Sequence, residues 1–88
     1  MKGYYEVQNE LRKLFSKNAE AMRSSRIAVE HTICDCVDIV DEYFFTGEIN
    51  LTVAEALDNW LANQEARYIR EFLKNKRRCD YGVSKTYE

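Results

Sequence analysis

Eighty-eight residues, 45% hydrophobic and 32% charged, with no proline and only three glycines, make one small folded domain and exclude a disordered or proline-rich chain. The formal net charge of −2 counts against a protein built to coat extended duplex DNA. That near-neutral total conceals a segregation: residues 1–26 hold six basic and three acidic side chains, 27–66 nine acidic and no Lys or Arg, and 67–88 seven basic and three acidic. Charge patterning on this scale concerns association and partners more than fold.

In chain order, apolar residues recur at helical spacing from the start: Tyr4, Val7, Leu11, Leu14 and Phe15, then Met22, Val29, Ile33, Cys36, Val40 and Phe44. Asn18 and Ser25 fall in phase with this stripe but are polar. Ser16 and Asn18 are possible N-caps, because their side-chain oxygens can satisfy orphan backbone donors. The pattern therefore predicts a short helix over about 4–15 and a longer one over about 18–45, with one unbroken helix over 4–45 as the alternative.

Phe45-Thr46-Gly47 ends that helix, with glycine placed to take the left-handed turn. Thr52 and Glu55 have capping-box spacing and predict the start of the next helix. Val53, Leu57, Trp60, Leu61, Gln64, Tyr68 and Phe72 form its inner face, with Ala56, Ile69 and Leu73 widening it, and its end is expected near Arg77. Segments 18–45 and 52–77 match in length, so they pair as an antiparallel hairpin of roughly 40 Å. The expected fold is all-α: this long hairpin plus a shorter N-terminal helix, a single helical domain over 1–78 with a loosely ordered tail over 79–88. Ile33, Cys34, Val37, Ile39, Val40, Tyr43, Phe44 and Phe45 point several ways at once, so a third surface must cover them. Either the N-terminal helix folds back or a second copy packs there, and a homodimer or higher oligomer is expected.

Folding about residue 48 gathers the acidic block at the turn and brings the two basic blocks together at the open end. The turn end then presents Asp35, Asp38, Glu42, Phe45, Glu48, Glu55 and Asp58, a group suited to a protein partner with a basic surface. The open end presents Arg67, Arg70, Lys74, Arg77 and Arg78, with Arg23 and Arg26 opposite. Arginine forks match phosphate oxygens, and Tyr68 with Tyr4 or Tyr5 could stack a base, so nucleotide or nucleic acid is the alternative ligand. The plainer account of either region is a solvated face whose charges complement the helix dipoles.

His31, Cys34, Cys36 and Cys79 are the only soft metal ligands. Cys34 and Cys36 are two apart on a helix and point to nearly opposite sides, which does not suit a tetrahedral zinc site. Cys36 belongs to the apolar stripe, and Cys79 beside Arg77 and Arg78 has cationic neighbours that would lower a thiol pKa. The chain has no Gly-rich phosphate loop and no EF-hand pattern, and its one His lacks a nucleophile context. The N-terminus has no apolar signal-type run and no stretch is long enough to cross a bilayer. The expectation is a cytoplasmic, non-enzymatic adaptor, regulator or inhibitor without metal or cofactor and without a membrane partner.

Overall fold

The structure, a computed structural model, describes the backbone of residues 1–84 and the side chains of residues 1–74. Three helices follow in order: α1 (Tyr4–Ser24), α2 (Arg26–Phe45) and α3 (Leu51–Ser84). Each packs on the other two, so the all-α fold is an up-down-up bundle in which α1 and α3 run parallel and α2 antiparallel to both.

The first break lies at Ser25, not at Asn18, and α1 is no shorter than α2: they hold 21 and 20 residues. Ser25 has extended backbone (φ −146°, ψ 121°), and its hydroxyl accepts a bond from the Ala28 amide at 3.3 Å, capping α2. Just before it, the Ser24 hydroxyl donates to the carbonyls of Glu20 and Ala21, which helps end α1. Asn18 caps nothing. Its amide donates to the Thr32 hydroxyl at 3.1 Å, a polar link between α1 and α2 beside the core.

The turn after α2 is a Schellman motif. The Glu48 amide donates to the Tyr43 carbonyl at 2.8 Å and the Gly47 amide to the Phe44 carbonyl at 3.1 Å. Gly47 makes this possible by adopting φ 81°, a conformation that strains any residue with a Cβ. The cap of α3 lies two residues before the expected Thr52: it is Asn50, its side-chain oxygen accepting from the Val53 amide at 2.9 Å. Thr52 is exposed and makes no cap.

Val7, Leu11, Phe15 and Met22 of α1 meet Val29, Ile33, Cys36 and Val40 of α2 and Ala54, Leu57 and Leu61 of α3, with Ile49 from the turn sealing one end. The surface expected to cover the hairpin is thus α1 folded back. A fully buried Leu or Met contributes about 1.5–3 kcal/mol to this core. Trp60 is not inside it. It lies half-buried at the rim, edge-on to Phe15 (centroids 5.6 Å apart) and beneath the Arg12 guanidinium at 5.4 Å.

At 34 residues, α3 outruns both other helices and continues past the expected end near Arg77 to Ser84. Residues 79–84 of the expected loose tail are therefore helical in backbone, and 85–88 lie outside the described residues. The bundle measures 56 × 21 × 17 Å, longer than the roughly 30 Å of α1 or α2, because α3 projects beyond the Ser25 corner.

Candidate functional site

The turn joins α2 to α3, and the first residues of α1 lie against it. The Lys2 amide donates to the Glu48 carbonyl at 2.6 Å, and the Tyr43 hydroxyl donates to Glu10 at 2.7 Å. That hydrogen bond, aided by burial, holds the Tyr43 phenol above its ordinary pKa. Lys2 sits 5.2 Å from the centre of the Tyr43 ring and pairs with Glu6 at 3.3 Å and Glu10 at 3.8 Å. Its hydrogen bond to Glu6 raises the ammonium pKa.

Because α1 runs parallel to α3, the N-terminal basic block is not gathered at the open end. Lys2 stands at the acidic pole, Arg12, Lys13 and Lys17 lie along the bundle, and only Arg23 and Arg26 reach the corner. Tyr4 and Tyr5, stacked edge-to-face at 5.0 Å, start α1 and so lie at the opposite end from Arg70 and Lys74. Tyr68 packs on Phe15 at 5.4 Å. The expected base-stacking set is therefore not assembled.

Asp35, Asp38, Glu42, Phe45, Glu48, Glu55 and Asp58 are all exposed, as the sequence pattern requires of a docking group. They fall on two sides of α2. At about 100° per residue, Thr32 and Tyr43 mark the side facing α1, through Asn18 and Glu10. Asp41 marks the side facing α3, where it acts on Asp58. Asp35, Asp38 and Glu42 stand on the outer and α1-ward surface, whereas Glu55 and Asp58 belong to the α2–α3 groove. Partial burial, then the charges of Asp41 and Glu55, raise the Asp58 pKa. Asp41 is the member that the sequence reading left out of the docking group. Its signal was available, because it lies level with Glu55 in any hairpin that turns near residue 48.

Among the described residues, the ion pairs join Lys2 to Glu6 and Glu10, Arg26 to Glu30, and Arg67 to Glu71. No described cation pairs with the carboxylates of Asp35, Asp38, Asp41, Glu42, Glu48, Glu55, Asp58 or Glu65. Beside them stand Phe45 (82% exposed), Leu51 (58%) and Phe44 (39%), the two rings 5.9 Å apart. Met1 approaches through its sulfur, 4.0 Å from the Asn50 amide nitrogen.

At the other end, Arg67, Arg70, Glu71, Leu73 and Lys74 line an open groove of about 500 Å³. Arg67 also borders a smaller hollow with Arg12, Phe15, Trp60 and Tyr68. Arg23, Arg26, Arg67, Arg70 and Lys74 are exposed, and the side chains of Arg77 and Arg78 lie outside the described residues. Cys34 is exposed, and Cys36 is buried with its thiol pushed up to about 11 by burial and then by Asp35. Among the described residues no three His, Cys, Asp or Glu side chains converge as a metal site would require, and no helix is long and apolar enough to cross a membrane. Compared with protein-family profiles, curated proteins and solved structures, the chain gives no match.

Proposed function

We propose that this chain is a non-enzymatic interaction protein, an adaptor, regulator or inhibitor, that docks a basic protein surface through the pole at the α2–α3 turn. One observation carries the reading: exposed Phe44, Phe45 and Leu51 stand among carboxylates that no described cation neutralises, while the lysine at that pole is already engaged by Glu6 and Glu10. Unpaired carboxylates steer a cationic partner into encounter, and aromatic side chains supply the affinity once water is excluded. Rigidity favours the same use. The Schellman turn, the buried Ile49 and the Lys2–Glu48 bond fix the pole, so little ordering entropy is lost on docking.

Affinity capture from cell extract at low and high salt, followed by identification of the bound proteins, tests this. The expected result is a basic partner that is retained at low salt, released at high salt, and lost to the combined Asp38→Asn, Glu42→Gln and Phe45→Ala variant. A partner captured equally by wild type and variant would overturn the assignment to this pole.

A second reading, binding of a nucleotide or nucleic acid, draws on the groove of Arg67, Arg70 and Lys74. Glu71 lies in the same groove and takes Arg67 at 4.0 Å, and the stacking tyrosines are elsewhere. Absorbance at 260 nm in excess of the protein's own, removed by salt and absent from an Arg70→Ala/Lys74→Ala variant, would favour it over the first.

A further inference from the structure

The outer face shared by α2 and α3 is uncovered, and its chemistry is ordered along its length. On α3, Leu51, Glu55, Ala62, Ala66 and Leu73 recur at spacings of four and seven and so form one stripe. It lies on the side turned towards α2, because the opposite side, with Trp60 and Tyr68, meets Phe15 of α1. On α2 the matching stripe is Ile27, Cys34 and Asp41, seven residues apart and all exposed, with Arg26 at its start. Ile27 is 64% exposed, Leu51 58% and Leu73 42%, a set of large apolar side chains at both ends of a face whose middle is small.

We infer that this face binds a second copy of the same chain, antiparallel, with α2 against α2 and α3 against α3. The argument is charge complementarity in a single register. Cys34 and Ala62 lie level at mid-bundle, given that α2 ends at Phe45 and α3 begins at Leu51. Asp41 is seven residues from Cys34 on one side and Arg26 eight on the other. Glu55 is seven residues before Ala62 and Arg70 eight after it, while Leu51 and Leu73 are each eleven away. A twofold axis across the middle of the face therefore sets Asp41 level with the second copy's Arg26, Glu55 with its Arg70, and Leu51 with its Leu73. No parallel arrangement does this, since it would stack the carboxylates of the two acidic ends. Ala62, Ala66 and Cys34 let the helices approach closely at the centre. Glu30, on the same face, stays paired with its own Arg26 at 3.7 Å, which the second copy's Asp41 then shares.

The inference rests on the reading that charge segregation serves association, and it assigns one side of the acidic pole. Glu55 and Asp58 meet the second copy's basic end. Asp35, Asp38 and Glu42, on the outer surface of α2, remain free for the partner proposed above, whereas Phe45, four residues after Asp41, borders both surfaces.

Light scattering after size exclusion, with thiol cross-linking, tests it. Cys79→Ser protein carries Cys34 as the accessible thiol, because Cys36 is buried. A short bis-maleimide should convert it to covalent dimer, and the Cys34→Ser/Cys79→Ser protein should not cross-link. Glu55→Arg should weaken the dimer by about tenfold or more, and adding Arg70→Glu should restore it. Restoration separates a lost contact from lost folding. The Asp38→Asn/Glu42→Gln variant, changed only on the outer surface of α2, should remain a dimer, so a failure of partner docking is told apart from a failure of this inference. A chain that is monomeric at every concentration, or a dimer that ignores Glu55→Arg and does not cross-link through Cys34, overturns it.

Discussion

The two ends of this bundle close the chain by different means. At the Ser25 corner one extended residue reverses the direction, a serine hydroxyl caps the new helix, and α3 continues past the junction. At the α2–α3 turn five residues are fixed by a Schellman pair, an Asn50 cap, the buried Ile49 and the strap from Lys2 to Glu48. The more elaborately built end is also the acidic one, where side-chain charges repel. Backbone and core hold that pole in shape against its own electrostatics.

The acidic pole loses its shape most readily when what anchors the turn is removed. Ile49 is 2% exposed, and Ile49→Ala leaves a hole beneath the pole with a cost of about 2–4 kcal/mol. Chemical denaturation should show that loss, and partner binding should fall even though Ile49 is not on the surface. Undiminished stability would mean that Ile49 does not hold the turn.

Gly47→Ala is the next in size. A Cβ at this position meets nothing within 4 Å, so the whole effect is backbone strain at φ +81°. A left-handed non-glycine residue costs about 1–2 kcal/mol. Gly47→Asn, which tolerates that conformation better, should cost less than Gly47→Ala in the same denaturation experiment. Equal losses would point to a steric cause and against the conformational account.

At the simpler end, Ser25→Ala removes one cap and should cost about 1 kcal/mol. Its distinguishing signature is location. Hydrogen exchange should quicken at the Ala28 amide and the first turn of α2 while the α2–α3 turn keeps its protection. Faster exchange at both ends alike would show that the two closures are not independent.

The two ends were also unequally legible in the sequence. The turn was plain, because Gly47 follows an apolar run and takes a positive φ without strain. The corner was hidden, because Met22 and Val29, fully buried on either side of it, are one heptad apart and keep the helical phase across the break. Periodicity cannot report a kink that preserves phase, and Ser16, Asn18 and Ser25 were all acceptable caps by composition. The misplaced corner then hid the direction of α1, and with it the position of Lys2 and of Tyr4. Two other residues gave no usable signal. Ile49 lies in a turn, outside any periodic stripe, and Asn50 competed with the better-formed pattern of Thr52 and Glu55. The acidic docking group was readable as exposed charge, but its division between two sides of α2 needed the packing of α1.

The smallest expected effect bears most directly on what the acidic end is for. Asp58 has its carboxyl pKa raised above the ordinary 3.8 by burial first, then by Asp41 and Glu55. The folded chain thus binds this proton more tightly than the unfolded chain, so stability falls as pH rises from 3.8 through the folded value. At neutral pH the whole penalty is present, and Asp58→Asn should stabilise the chain by about 0.5 kcal/mol or less, because solvent screens a largely exposed group. Below pH 3.8 both forms are neutral and the gain should vanish. Melting temperatures across that range, taken at concentrations low enough to keep the chain monomeric, give the answer. A gain at pH 7 that disappears in acid means that the pole carries charge at the expense of its own fold. A gain that persists in acid would place its origin in packing and remove the electrostatic contrast between the two ends.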